Sequence, residues 1–209
     1  VVWHTQGSGK TLTMIMLTKM IIRESMKAGS PIKHPRFVMV TDRINLDKQI
    51  RDNFIHTQMS PHRAKTGKGL IELLQDDGNT VITALVNKFE AAIKQEYCND
   101  SENLFLFIDE GHRTQYGKLN IYMNKVLPKA VKIAFTGTPL IQKQPKDKNR
   151  KIVPAKDTYA KFGPLIDKYT LQDAIDDKVT VPIVYEGRVI PQQVTSQQIN
   201  AHLKHITVG

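Results

Sequence analysis

The stretch His4-Thr5-Gln6-Gly7-Ser8-Gly9-Lys10-Thr11 decides how this chain is read. It follows a short apolar stub, Val1 to Trp3, and opens a long apolar segment running from Leu12 to about Ala28. A glycine-rich turn between strand and helix is where backbone amides gather around a phosphate. Gly7 and Gly9 allow those amides a close approach, and the helix beyond adds the positive end of its dipole. Lys10 is expected to reach the β- and γ-phosphates of a bound nucleotide, and the Thr11 hydroxyl to ligate Mg²⁺. Gln6, Gly7, Ser8, Gly9, Lys10 and Thr11 are therefore the candidate nucleotide-binding residues. The usual pattern begins with glycine where this chain has His4, so the match is to the shorter Gly-x-Gly-Lys-Thr core.

Outward from that loop, strands alternate with helices. The Leu12 segment carries Leu12, Met14, Ile15, Met16, Leu17, Met20, Ile21 and Ile22. That is too many apolar side chains for one face, so a helix covered on most sides is expected. Strands are predicted at Arg36 to Thr41, Thr80 to Leu85, Leu104 to Ile108 and Val131 to Phe135. Helices are predicted around Ile44 to Phe54, Lys68 to Asp76, Phe89 to Glu96 and Leu119 to Leu127. The strands are continuous apolar runs, which predicts an α/β fold with a mostly parallel sheet covered on both faces. After Pro139 the pattern weakens. Lys143 to Lys151 holds five basic residues and one acid and reads as a loop, Tyr169 to Lys178 as a helix, and Thr180 to Val189 as a strand.

Asp109 and Glu110 close the Leu104 strand at the carboxyl edge, where open α/β sheets bind ligands. Asp109 is expected to hold Mg²⁺ through water, and Glu110 to accept a proton from the attacking water. With Lys10, these are the candidate catalytic residues. His112, two residues on, would sense the γ-phosphate or bond a neighbouring strand. Phe135-Thr136-Gly137-Thr138-Pro139 ends the next strand on the same edge, where Thr136 and Thr138 can bond both the acidic pair and segments gripping nucleic acid. Asn87-Lys88-Phe89-Glu90 nearly matches a guanine-reading element, but it precedes the acidic strand instead of following it. A GTPase is therefore excluded.

Composition bounds the rest. Lys and Arg number 30 against 20 Asp and Glu in 209 residues, a net charge of +10 that suits a polyanionic partner. The longest apolar run has five residues, against the roughly 18 a membrane span needs, so no membrane partner is expected. Cys98 stands alone and cannot form an internal disulfide, which points to a reducing, cytoplasmic setting. The chain opens on Val1, carries no signal peptide, and reads as an excerpt of a longer protein.

The ordered set of motifs resembles the first RecA-like motor domain of superfamily-two helicases and translocases. Gly7-Ser-Gly-Lys-Thr11, Thr41-Asp-Arg-Ile-Asn-Leu46, Asp109-Glu-Gly-His112 and Thr136-Gly-Thr-Pro139 carry the likeness. The last resembles translocases of double-stranded DNA more than RNA helicases. More specifically, the chain resembles the restriction subunit of type I restriction-modification enzymes. Trp3 to Thr11, Val40 to Arg43 with Leu46 and Gln49, and Asp109 to Arg113 with Gln115 to Gly117 support this, as do Tyr169 to Asp177 and Val181 to Glu186.

The resemblance implies ATP-dependent translocation of double-stranded DNA coupled to cleavage, alongside methylation and specificity subunits. Thr136, Thr138 and His112 would couple nucleotide state to DNA grip. Thr41 and Arg43 would lie at the DNA backbone, with Lys88 a second contact. Residues 1–165 would form the motor domain with a truncated first strand, and 166–209 would lead toward a second one. The nuclease residues and the arginine fingers of the family would lie outside this chain. Alone it is expected to hydrolyse ATP hardly at all. Another superfamily-two DNA or RNA helicase, and a non-hydrolysing nucleotide or nucleic-acid binding module, are the alternative readings.

Overall fold

The structure, a computed structural model, describes residues 1–109, 116–139 and 158–182. Seven strands are present among them: β1 (Val2–His4), β2 (Arg36–Thr41), β3 (His62–Ala64), β4 (Val81–Leu85), β5 (Leu104–Asp109), β6 (Val131–Thr136) and β7 (Asp167–Tyr169). The helices between them are α1 (Lys10–Ser25), α2 (Ile44–His56), α3 (Gly67–Gln75), α4 (Asn87–Ile93), α5 (Tyr116–Val126), α6 (Thr158–Phe162) and α7 (Leu171–Asp176). The strands form one sheet in the order β3-β4-β2-β5-β6-β1-β7. Every ladder in it is parallel. The fold is the predicted α/β architecture, with its central strands buried throughout.

Alternation along the strands separates two cores. Phe37, Met39, Phe105, Phe107 and Phe135 pack with Met14 and Ile15 of α1 and with Ile50 and Phe54 of α2. Val38, Val40, Leu104, Leu106 and Ile108 point the other way, against Leu70 and Leu74 of α3, Phe89 of α4, and Met123 and Val126 of α5. Right-handed crossovers require this division, because α1 and α2 connect strands running one way across the sheet and α3 to α5 the other. Neighbouring phenylalanine rings run across the first face, with centroids 5.4 Å apart for Phe37–Phe105 and 5.5 Å for Phe107–Phe135. Burying each such ring contributes about 2 kcal/mol.

Arg36, the first residue of β2, is buried and ends α3 from across the sheet. Its Nε donates to Asn79 O (3.1 Å), Nη1 to Leu74 O (3.0 Å) and Asp77 Oδ1 (2.8 Å), and Nη2 to Leu73 O and Asp76 O (both 2.8 Å). All five guanidinium N–H groups are thereby used. Carbonyls at a helix C-terminus have no partner within the helix, and here a side chain from a distant strand supplies one.

The structure corrects the sequence reading in four places. The helix expected to be covered on most sides buries one stripe only, Met14, Ile15 and Thr18. Leu12, Met16 and Met20 are each more than half exposed, because α1 meets the sheet along one side and turns these residues away from it. The helix expected from Tyr169 is shorter. Tyr169 belongs to β7, and Thr170 starts α7 through a capping box in which its hydroxyl accepts from Asp173 N while Asp173 accepts from Thr170 N. Strand β3 carries no apolar run and was not predicted. Residues 180–182 are not in a strand, and the rest of the predicted strand to Val189 lies outside the described residues, as does Lys143 to Lys151.

Candidate nucleotide site

β1 is short but lies inside the sheet, paired with β6 on one side and the edge strand β7 on the other. The chain leaves it into the glycine-rich loop and re-enters regular structure at Lys10. Gly7 and Gly9 both have φ of +83°, the left-handed region that L side chains rarely adopt. This backbone turns the loop sharply and leaves the first turn of α1 without a side-chain cap. Uncapped amides at the start of a 16-residue helix are an anion site in waiting. Ser8 Oγ donates to Thr5 O at 2.6 Å and braces the loop from inside. Lys10 Nζ folds back over it, donating to Thr5 O (3.2 Å) and His4 O (3.4 Å).

A cleft of about 670 Å³ opens above the loop. Gln6, Gly7, Gly9, Lys10 and Thr11 line one side, and Asp109 reaches it from the end of β5. Of the candidate binding and catalytic residues, these are brought together. Ser8 is part of the loop but does not line the cleft, and Glu110 and His112 lie outside the described residues. Asp109 is buried. A buried carboxylate and a threonine hydroxyl in one cleft are the hard oxygen donors that Mg²⁺ takes, so this donor set fits the ion.

The far wall comes from α2, with Leu46, Gln49, Asn53 and His56. These residues recur at three- and four-residue spacing and so share one helix face. Gln49, Asn53 and His56 were not among the sequence candidates. That polar repeat was the available signal.

The turn after β6 presses on the loop. Thr136 is fully buried at the strand end, and Thr138 N donates to its Oγ1 at 3.2 Å. A Cβ on Gly137 would lie 3.2 Å from Gln6 N and 3.3 Å from His4 O, both backbone atoms. Gly137→Ala is therefore expected to displace the loop and weaken binding of a fluorescent ATP analogue by about tenfold, in line with the usual cost of overpacking. An unchanged dissociation constant would show that the turn does not constrain the loop.

On the other side of β1, His4 Nε2 pairs with Asp167 Oδ2, and Thr5 N donates to Tyr169 O at 2.9 Å. The His4 imidazole beside it holds the Asp167 carboxyl below the usual carboxylate range. His4, at the position where the common motif has glycine, thus ties the start of the loop to β7.

The three candidate DNA contacts form a separate group. Thr41 ends β2 and is buried, its Oγ1 donating to Arg43 O at 3.4 Å. Arg43 is exposed at the start of α2. Val86 N donates to Thr41 O at 2.8 Å, which brings the first turn of α4, and Lys88 within it, beside the β2 end. Asp47 in the first turn of α2 is buried and ion-paired with Arg63 Nε at 2.7 Å, anchoring the segment from below. Both groups occupy the carboxyl edge of one sheet, with β5 and Asp109 between them.

A parallel α/β sheet with a glycine-rich loop opening a helix after one strand and a buried aspartate at the end of another is the architecture of P-loop nucleotide-binding domains. The family model of the SWI2/SNF2 ATPase matches residues 1–209, and the chain belongs to that family.

Among its relatives, the type I restriction enzyme HindI endonuclease subunit of Haemophilus influenzae is 33% identical over 206 residues. That match covers 89% of this chain and 18% of the relative. A Methanocaldococcus jannaschii protein provisionally named the type I restriction enzyme MjaIXP endonuclease subunit is 30% identical over 210 residues, covering 99% of this chain and 19% of its own. The chain thus spans about one fifth of the length of these relatives. The crystal structure of the Pyrococcus furiosus Hef helicase domain shares the fold, with a TM-score of 0.53 and 14% identity over 80% of this chain and 34% of that one. Among the described residues no helix is long and apolar enough to cross a membrane.

Proposed function

We propose that this SWI2/SNF2 ATPase domain is the first motor domain of a type I restriction endonuclease subunit. In that reading it converts ATP hydrolysis into translocation of double-stranded DNA, coupled in the whole protein to cleavage. Residues 1–165 make up the motor and 166–209 lead on from it, with β7 joining the same sheet. The observation that carries the nucleotide part is that Lys10, Thr11 and Asp109 line one cleft, although β1 and β5 are separated by β6. The likeness to type I endonuclease subunits carries the rest, and with it partnership with methylation and specificity subunits in the cytoplasm.

In this mechanism the loop amides of Gln6 to Thr11 and the start of α1 hold the phosphates. Lys10 turns from the loop carbonyls to the β- and γ-phosphate oxygens. Thr11 and Asp109 would hold Mg²⁺, which would supply charge neutralisation for the transferred phosphoryl group. Glu110 orients water and accepts its proton. Thr136, which ends the strand between β5 and β1, and Thr138, in the turn after it, couple the nucleotide state to the grip on DNA. Arg43 and Lys88 take DNA phosphates along the β2–β4 end, while Thr41, expected from the sequence as a direct contact, is buried and supports Arg43 through its carbonyl instead.

The test is hydrolysis by the full-length protein with and without duplex DNA, set against single-stranded RNA. Stimulation by duplex DNA and not by RNA is expected. Glu110→Gln should retain ATP binding while hydrolysis falls by about 10²-fold, the typical share of a general base. Hydrolysis at the wild-type rate would remove Glu110 from that role.

A further inference from the structure

Trp3 is the single tryptophan of the chain, and it lies outside the phosphate loop. Its side chain nevertheless joins the loop to the turn after β6. The indole Nε1 donates to Gly137 O at 3.2 Å. In the sheet Trp3 stands between Thr136 of β6 and Lys168 of β7, and Lys168 Nζ lies 5.0 Å from the ring centroid. On the β7 side the loop entrance is held by the His4–Asp167 pair and the Thr5–Tyr169 bond. On the β6 side the ladder's last register pair is Trp3 with Thr136, and the indole bond carries the connection one residue further. There Gly137 packs against the backbone of His4 and Gln6.

We propose that Trp3 is a positioning residue that transmits occupancy of the phosphate loop to the Thr136–Pro139 turn. The inference rests on the loop being the nucleotide site. One strand segment, Trp3 to Gln6, touches the turn at two places: by packing at Gly137 and by the indole N–H. Packing can only push the turn away. The hydrogen bond can also pull it back, so a two-way coupling needs the indole. A role limited to filling space would need only the ring.

Trp3→Phe separates the two roles, since it keeps an aromatic ring and loses the donor. Hydrogen exchange of the full-length protein, wild type and Trp3→Phe, is measured with and without a non-hydrolysable ATP analogue. Steady-state hydrolysis is followed on duplex DNA. In wild type the analogue is expected to slow exchange at residues 5–13 and also at 136–138. In Trp3→Phe the first change should persist and the second should be lost. KM for ATP should stay within about twofold, while the DNA-stimulated kcat falls about tenfold, as for one lost hydrogen bond acting through the turn.

Turn protection equal to wild type in Trp3→Phe would overturn the proposal. So would parallel loss of loop and turn protection with a lowered Tm, which marks a purely structural role. Absence of loop protection in wild type itself would instead overturn the nucleotide reading beneath it, and that outcome is recognisable because it does not depend on the variant.

Discussion

Replacing Lys10 by alanine in the full-length protein is expected to lower ATP hydrolysis by on the order of 10³ and to abolish measurable binding of a fluorescent ATP analogue. The size follows from the surroundings. Lys10 is the only cationic side chain contributed by the loop, and it stands where the uncapped amides of α1 converge. Its present partners are two backbone carbonyls at 3.2 and 3.4 Å, long bonds that exchange readily for phosphate oxygens. Losing those bonds costs the fold little, so Tm should stay within a few degrees. Arginine should not rescue the function, because a planar fork does not fit a point-charge position on a tight loop. A titration in which Lys10→Ala binds as wild type would remove Lys10 from its role.

Arg36→Ala is expected to destabilise the domain by about 4 kcal/mol, with a fall in Tm on the order of 10 °C. The guanidinium is buried and supplies four backbone carbonyls, those of Leu73, Leu74, Asp76 and Asn79. Alanine leaves them without this donor inside the protein, at about 1 kcal/mol or more each. The ion pair with Asp77 contributes little, since that carboxylate is 94% exposed. Asp77→Ala should therefore leave stability nearly unchanged, while Arg36→Lys should recover part of it, an ammonium having three donors in place of five. Thermal or urea unfolding of the three variants checks the order. A value for Arg36→Ala within 1 kcal/mol of wild type would show that water reaches those carbonyls.

The same arginine marks where sequence reasoning stops. Arg36 was legible as the start of a strand, from the run Phe37 to Val40 behind it. Nothing local linked it to carbonyls 37 to 43 residues away. β3 was illegible for a related reason. His62-Arg63-Ala64 is too short and too polar to signal a strand, and it is one because β4 offers an edge to pair with. The apolar count in α1 misled because periodicity reports how many hydrophobic residues a helix carries, not how many neighbours it has. Leu12, Met16 and Met20 lie on the side that no described element covers. At the site, Gln49, Asn53 and His56 were visible as a helix face but had no assigned cleft until α2 was seen to lie beside the loop.

By itself, then, the sequence determined what is encoded within a few residues: the alternation of buried strands and helices, the glycine-rich turn between the first strand and helix, and the carboxylate at the end of β5. Each follows from local sterics or from a continuous apolar run, which needs no knowledge of distant residues. Only the tertiary structure decided the strand order that puts β6 between β1 and β5, and so seats Lys10, Thr11 and Asp109 around one cleft. It also decided which carbonyls Arg36 satisfies, that Gly137 leans on Gln6 and His4, and that Trp3 spans the loop and the turn. These are contacts between residues tens to more than a hundred positions apart. They exist because crossover handedness and the burial of two apolar faces leave the chain one way to close.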